Sequence, residues 1–200
     1  MRLVLPLFAV LATATVSAFA MEIDQSAYLP LTAGNDWTMD VVFTSPSGEV
    51  SKATGRRRLE DTVEMDGKSY VRSRTWTEDG PTPMEYTKLV RKDGDGMYSL
   101  LEGGKNEKEQ LEIPLPLRTS MAWTHETQGM KFFDRALGVE SVTIGDKTYA
   151  KCFHFRVESA DGKYREDYWE APKLGNVKSE IVYSSGAKIT LTLREFKAGK

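Results

Sequence analysis

The side chains best suited to metal or nucleophilic chemistry are few. The sequence has two histidines, His125 and His154, and one cysteine, Cys152. Cys152 and His154 would share a face of a strand over 148–158, because side chains alternate across a strand. A structural zinc site needs about four such donors. We therefore predict no metal site, and we expect Cys152 to be a small buried side chain, as free cysteines usually are.

The carboxylates do not form a recognisable catalytic group. Asp93-Gly94-Asp95-Gly96 alternates acids as a calcium loop does, but the pattern from Met97 to Leu101 is that of a strand, so a turn is the better interpretation. Glu166 and Asp167 are neighbours in a predicted strand and point to opposite faces. The sequence contains no nucleophile elbow, phosphate-binding loop or His-Glu-x-x-His motif. It predicts a protein that is not an enzyme and has no cofactor.

A binding face is a better candidate than a catalytic centre. Apolar residues alternate with others from Trp37 to Thr44, and His125 shares a face with Trp123 in a later predicted strand. On a concave face, His125 would orient a ligand within an apolar lining. The alternative is a histidine hydrogen-bonded in the core. The candidate ligand-binding residues are Trp37, Met39, Val41, Phe43, Trp123 and His125.

Alternation of this kind dominates the chain and predicts antiparallel strands. Turn dipeptides that favour tight hairpins separate the alternating stretches; they are Ser47-Gly48, Asp66-Gly67, Asp93-Gly94-Asp95-Gly96, Gly145-Asp146, Asp161-Gly162 and Ser185-Gly186. We predict an all-β domain, built as a single curved antiparallel sheet or half-open barrel of roughly ten to twelve strands. A two-sheet sandwich is the alternative.

One pattern occurs twice. Leu29-Pro30-Leu31 precedes Trp37, and Leu115-Pro116-Leu117 precedes Trp123 at the same spacing. A second match, of apolar, turn and aromatic residues, joins segments 63–70 and 142–149. Repetition at this spacing predicts two similar halves of one domain.

We place these halves at about 28–103 and 113–197, within a single domain over 21–200. Glu102 to Gln110 is rich in Gly, Lys and Glu, and together with the proline-rich segment 113–117 it is expected to form the crossover between the halves. The proline-rich segment that follows, 113–117, cannot be a central strand because proline does not donate to the sheet.

Residues 1–20 are typical of a secretory signal peptide. Met1-Arg2 gives the positive start, an apolar stretch follows, and Ala18-Phe19-Ala20 suits a cleavage site. We expect the mature chain to begin at Met21 and to be periplasmic or secreted. The residue after the cut is Met21, with no cysteine near it to carry a lipid anchor, and no later segment approaches the roughly 20 apolar residues of a spanning helix. The sequence therefore does not predict an integral membrane protein.

The charge balance excludes nucleic acid as a natural partner. The chain has 27 Lys and Arg against 29 Asp and Glu, for a formal net charge of −2, whereas nucleic-acid binding calls for a strongly basic face. The one compact basic run, Arg56-Arg57-Arg58, is followed closely by acids and is expected to be solvated.

Two motifs resemble a group of exported bacterial proteins. The early one is Tyr28-Leu29-Pro30-Leu31 with Gly34 and Trp37; the late one is Tyr168, Ala171-Pro172, Gly175 and Val177-Lys178. The group is similar in architecture to the periplasmic lipoprotein carriers LolA and LolB, in which a curved sheet wraps around an apolar cavity. The resemblance implies this fold and transfers no catalytic residues. This chain departs from the group at two positions. Lys173 stands where the late motif has glycine. Ser120 stands where a second copy of the early motif would have glycine before its tryptophan.

Together these features predict an exported, non-catalytic protein that holds a lipid or acyl chain in a concave face. The alternative is a module that docks onto an envelope protein through a sheet edge or an aromatic face and has no small-molecule ligand.

Overall fold

The structure, a computed structural model, describes residues 27–80, 83–103, 108–127 and 129–199. The predicted leader and the expected start at Met21 lie outside these ranges. The described residues form twelve strands and no α-helix. The strands are β1 (Asp36–Thr44), β2 (Val50–Met65), β3 (Lys68–Glu78), β4 (Glu85–Lys92), β5 (Gly96–Leu101), β6 (Gln110–Pro114), β7 (Ala122–Thr127), β8 (Met130–Ile144), β9 (Lys147–Ser159), β10 (Tyr164–Ala171), β11 (Gly175–Tyr183) and β12 (Lys188–Lys197).

All twelve strands belong to one antiparallel sheet, in the order β6-β5-β4-β3-β2-β1-β12-β11-β10-β9-β8-β7. Two consecutive meanders are joined where β1 pairs with β12. The edge strands β6 and β7 approach each other, because Trp123 Nε1 on β7 donates a hydrogen bond of 2.7 Å to Glu112 O on β6. The sheet is therefore a nearly closed barrel. The predicted single curved sheet is confirmed, and the sandwich alternative is wrong.

Each predicted turn connects two neighbouring strands of this sheet. The earlier part of the predicted crossover contains β6, which pairs with β5 within one meander. The meanders are connected instead by residues 115–121. Pro114 is tolerated because it ends an edge strand, as the sequence argument about proline required.

The two repeated patterns occupy corresponding places in the meanders. Segment 63–70 spans the hairpin of β2 and β3, and segment 142–149 spans the hairpin of β8 and β9. β1 and β7 lie six positions apart in the strand order, on opposite sides of the barrel. The interpretation as an internal repeat of two halves stays a prediction.

The two ends of the barrel differ. At one end, which we call the mouth, odd-numbered strands turn into the even-numbered strands that follow. At the other, the base, even-numbered strands lead into odd-numbered ones. Segments 27–35 and 115–121 both lie at the base, where Lys173 N donates to Ala27 O at 2.5 Å and Leu115 N donates to Asp95 O at 2.8 Å. These backbone bonds hold both Leu-Pro-Leu segments across the base.

The core lies toward this closed end. Leu29 and Leu117 from the base segments are buried in one cluster with Phe153 and Phe155 of β9. The two β9 rings are stacked with centroids 4.9 Å apart. The base half of the barrel therefore holds this core, beside a cavity of about 370 Å³ between residues 29–32 and the base ends of β3 and β4.

Candidate functional site

One face of the sheet can be followed strand by strand. Paired residues on neighbouring antiparallel strands project to the same face. A continuous row of such pairs runs from β7 to β1 through Trp123, Asp134, Val157, Glu166, Ile181, Ile189 and Phe43.

This face is the interior of the barrel. Lys88 on β4 and Glu166 on β10 belong to strands six positions apart in the order, which are opposite each other in a twelve-stranded ring. The positive charge of Lys88 nevertheless acts on Glu166 and offsets part of the rise in its pKa that burial causes. Phe153 and Phe155, which project to the same face as Val157 of the row, are also fully buried, so this face lines a lumen.

The β1 candidates divide between core and lumen. Trp37, Met39 and Val41 are buried, none more than 7% exposed, and they belong to the larger core cluster. Phe43, nearer the mouth, is half-buried. The structure therefore places three of these four residues in the packed core, and Phe43 packs against that core while staying partly exposed.

Trp123 and His125 lie on the opposite wall and share the lumen face, as predicted. His125 Nδ1 is 2.7 Å from Asp134 Oδ2, and its ring stacks on Phe132 at 5.0 Å. His125 is thus both a lumen residue and hydrogen-bonded. The six candidates therefore lie on two separate walls. Trp37 belongs to the larger core cluster, whereas Trp123 packs against the second one.

The lumen also holds a charged pair that the sequence did not reveal. Lys88 Nζ lies 2.6 Å from Glu112 Oε1, and the two side chains keep 33% and 23% of their accessible surface. Burial lowers the pKa of Lys88, but the Glu112 carboxylate outweighs it and the pKa is raised. Burial likewise raises the pKa of Glu112, and Lys88 brings it below the ordinary value. A pair that is surrounded by protein and still accessible indicates solvent-accessible space within the barrel.

Two further carboxyl groups on β10 face the same space. Glu166 accepts a hydrogen bond from Tyr164 Oη, and its pKa is raised mainly by burial. Glu170 is 8% exposed, and burial raises its pKa to about 7 even though Arg57 acts in the opposite direction. Both groups therefore favour the protonated form more than a solvated glutamate does.

Arg57 is a further charged residue of the lumen that the sequence pattern did not indicate. It was expected in a solvated face, but it pairs with Trp37 on the lumen face and its guanidinium lies 5.1 Å from the Trp37 ring centroid. Its Nε donates to Ser73 Oγ at 3.1 Å. The sequence signal for Arg57 is its pairing opposite Trp37, which places it on the inner face. That signal is hard to see because Arg56 and Arg58 on either side of it are the same residue type.

The mouth carries most of the exposed large apolar side chains of the described residues. They are Val50, Met84, Tyr86, Met130 and Tyr183. Tyr183 also contacts Tyr164, with ring centroids 5.8 Å apart. These side chains give the mouth an apolar and aromatic rim, at the end opposite the base.

The other chemical candidates are structural. Cys152 is buried, as predicted, and its thiol donates to Tyr149 O. His154 stacks on Trp169 at 4.4 Å, and its Nε2 lies 3.0 Å from Asp167 Oδ1. Asp93 accepts backbone hydrogen bonds within its own turn. Among the residues that the structure describes, no group of three or more His, Cys, Asp or Glu could hold a metal ion.

Comparisons with known proteins give structural neighbours only. No protein-family model matches the chain, and no curated protein matches it. Similar solved structures include a protein from Bacteroides fragilis described as exported and YmcC-like in fold, at 12% identity over 86% of this chain and 99% of that one, with a TM-score of 0.49. A protein from Parabacteroides distasonis described as a lipoprotein is similar at 12% identity over 85% of this chain and 98% of that one, with a TM-score of 0.47.

The LolA superfamily protein NE2245 from Nitrosomonas europaea is also similar, at 8% identity over 88% of this chain and 90% of that one, with a TM-score of 0.39. The neighbours are thus of the kind that the sequence resemblance named. Likenesses this distant transfer no function. In the described part of the chain, no helix is long and apolar enough to span a membrane.

Proposed function

We propose that this protein is an exported, non-catalytic binding protein that holds the apolar chain of a lipid or acyl ligand in the mouth half of its lumen. The observation that carries the proposal is the contrast between the two ends. The buried core lies toward the base, whereas the mouth has an exposed apolar rim above half-buried lumen residues. Binding sites of this type are concave and mostly apolar, with a few placed polar groups.

The energetics allow weak to moderate binding. The half-buried apolar residues on the β1, β11 and β12 side of the lumen are Phe43, Ile181, Ile189 and Leu191. Burying a chain of about eight methylene groups against them contributes about 6 kcal/mol, at about 0.8 kcal/mol each. Part of this is lost to the cost of association.

We expect the folded mature protein to bind the apolar dye 1-N-phenylnaphthylamine, with a rise in dye fluorescence that dodecanol reverses. Phe43→Ser removes part of the apolar wall and should weaken dye binding by about tenfold, which corresponds to about 1.4 kcal/mol. Phe133→Ser is the matched control, because Phe133 is 41% exposed and alternates with the lumen residues of β8. Circular dichroism of each variant checks that it is folded.

Two outcomes count against the proposal. If the folded protein binds no dye, the lumen holds no apolar ligand, and co-purification of a stoichiometric envelope protein would then favour the docking-module alternative. If Phe133→Ser weakens the dye as much as Phe43→Ser does, the dye binds outside the lumen.

Export is tested separately. We expect N-terminal sequencing of periplasmic or secreted protein to begin at Met21, because cleavage follows Ala18-Phe19-Ala20. Protein that keeps residues 1–20 and stays in the membrane fraction would contradict export by this route.

A further inference from the structure

We propose that the ligand is a single-chain amphiphile with a protonated amine head group, and that Glu166 receives the amine. The inference rests on the proposed function, since the chain of this amphiphile would occupy the same mouth half of the lumen. It follows from how apolar and charged side chains are distributed around the lumen and from which charges are already paired.

The lumen has two unlike sides. Half-buried apolar residues line β1, β11 and β12, and Leu191 there pairs with Val41 in the register. Across the lumen, the facing strands β4 and β6 carry Lys88 and Glu112. A ligand in this space would therefore meet hydrocarbon on one side and charge on the other, which suits an amphiphile better than a purely apolar molecule.

Charge balance then selects the head group. The carboxyl groups on the lumen face include Glu112, Asp134, Glu166 and Glu170, against the permanent cations Arg57 and Lys88. Lys88 is paired with Glu112 at 2.6 Å, and Asp134 is paired with His125 at 2.7 Å. Arg57 is directed to Ser73 and the Trp37 ring. With Glu112 and Asp134 paired in this way, Glu166 and Glu170 remain without a lysine or arginine partner among the described residues, so a protonated amine would gain a charge-assisted hydrogen bond there and an anionic head group would not.

Glu166 is the carboxyl group that a ligand can reach. Within the described residues, neither Glu166 nor Glu170 forms an ion pair with a lysine or arginine; Glu166 has the hydroxyl groups of Tyr164 and Ser179 as partners. Glu170 is nearly inaccessible in the base half. Glu166 is half-buried and pairs with Ile181 of the apolar side. An ammonium group has three donors and no acceptor, which suits a carboxylate with oxygen atoms beside it.

The experiment compares three twelve-carbon ligands that differ only in the head group: dodecylamine, dodecanol and dodecanoate. Each displaces 1-N-phenylnaphthylamine from the folded protein at pH 7, below its micelle concentration. We expect dodecylamine to bind about tenfold tighter than dodecanol, and dodecanoate to bind more weakly than dodecanol. E166Q should make dodecylamine and dodecanol equal and leave dodecanol binding unchanged.

The control variant is E180Q. Glu180 lies on β11 beside Ser179 and Ile181 but is exposed and pairs with Lys178 at 2.7 Å, on the outer face. The E180Q variant should therefore keep the preference for dodecylamine over dodecanol. E166D retains the carboxylate and should keep the preference as well, which separates loss of charge from loss of folding.

The outcomes distinguish this inference from the function on which it rests. If none of the three ligands displaces the dye, the carrier proposal itself fails. If all three displace it equally, the chain site stands and the amine preference is overturned. A preference that persists in folded E166Q overturns the role of Glu166. If E166Q does not fold, the order of the three ligands on the unmodified protein and on E166D still decides the head group.

Discussion

Trp37→Ala is expected to lower the free energy of unfolding by about 3–5 kcal/mol, the usual cost of truncating a buried tryptophan. The Trp37 side chain is 3% exposed, its ring lies 5.1 Å from that of Phe196, and its Nε1 donates to Leu174 O at 2.5 Å. The substitution therefore opens a cavity and leaves the Leu174 carbonyl without this donor. Urea denaturation of the two proteins measures the difference.

Trp123→Ala is the informative comparison. Trp123 follows the same Leu-Pro-Leu pattern, but it is only half-buried and lies next to the seam between β6 and β7. We expect a smaller loss there than at Trp37. A loss below about 1 kcal/mol at Trp37, the level of an ordinary surface substitution, would contradict its place in the core.

Local signals were sufficient to predict the fold. Strict alternation from Trp37 to Thr44 and glycine-containing turns such as Asp66-Gly67 specify strands and hairpins through nearby residues alone. A meander follows because each hairpin pairs consecutive strands. The predicted crossover included β6 because this short strand contains a proline and follows a Gly- and Lys-rich stretch, so its pairing with β5 was concealed.

The lumen site could not be predicted in the same way, because it depends on how far the sheet closes. On β10, Glu166 and Tyr168 alternate with Asp167 and Trp169, and both sets combine an acid with an aromatic ring. Parity therefore separates the faces without indicating which one is interior. Only closure of the sheet brings Lys88 opposite Glu166, and closure results from pairings between residues far apart in the sequence.

Glu170→Gln is expected to make stability less dependent on pH. In the folded protein, burial raises the pKa of Glu170 from 4.5 to about 7. Below pH 4.5 the Glu170 carboxyl group is protonated in both the folded and the unfolded state, so it does not change the free energy of unfolding. Between pH 4.5 and 7 the unfolded chain releases this proton and the folded one keeps it, so the folded state loses up to about 3 kcal/mol of relative stability, at 1.36 kcal/mol per pH unit.

Glutamine does not ionise, so E170Q should match the unmodified protein near pH 4 and exceed it by up to about 3 kcal/mol above pH 7. Urea denaturation at a series of pH values measures this difference, with Glu180→Gln as the control that should show none, because Glu180 is exposed. If E170Q is instead less stable at pH 8, the Glu170 carboxylate is ionised and stabilised in the folded state. Arg57, whose charge already lowers the pKa of Glu170, would then be its partner.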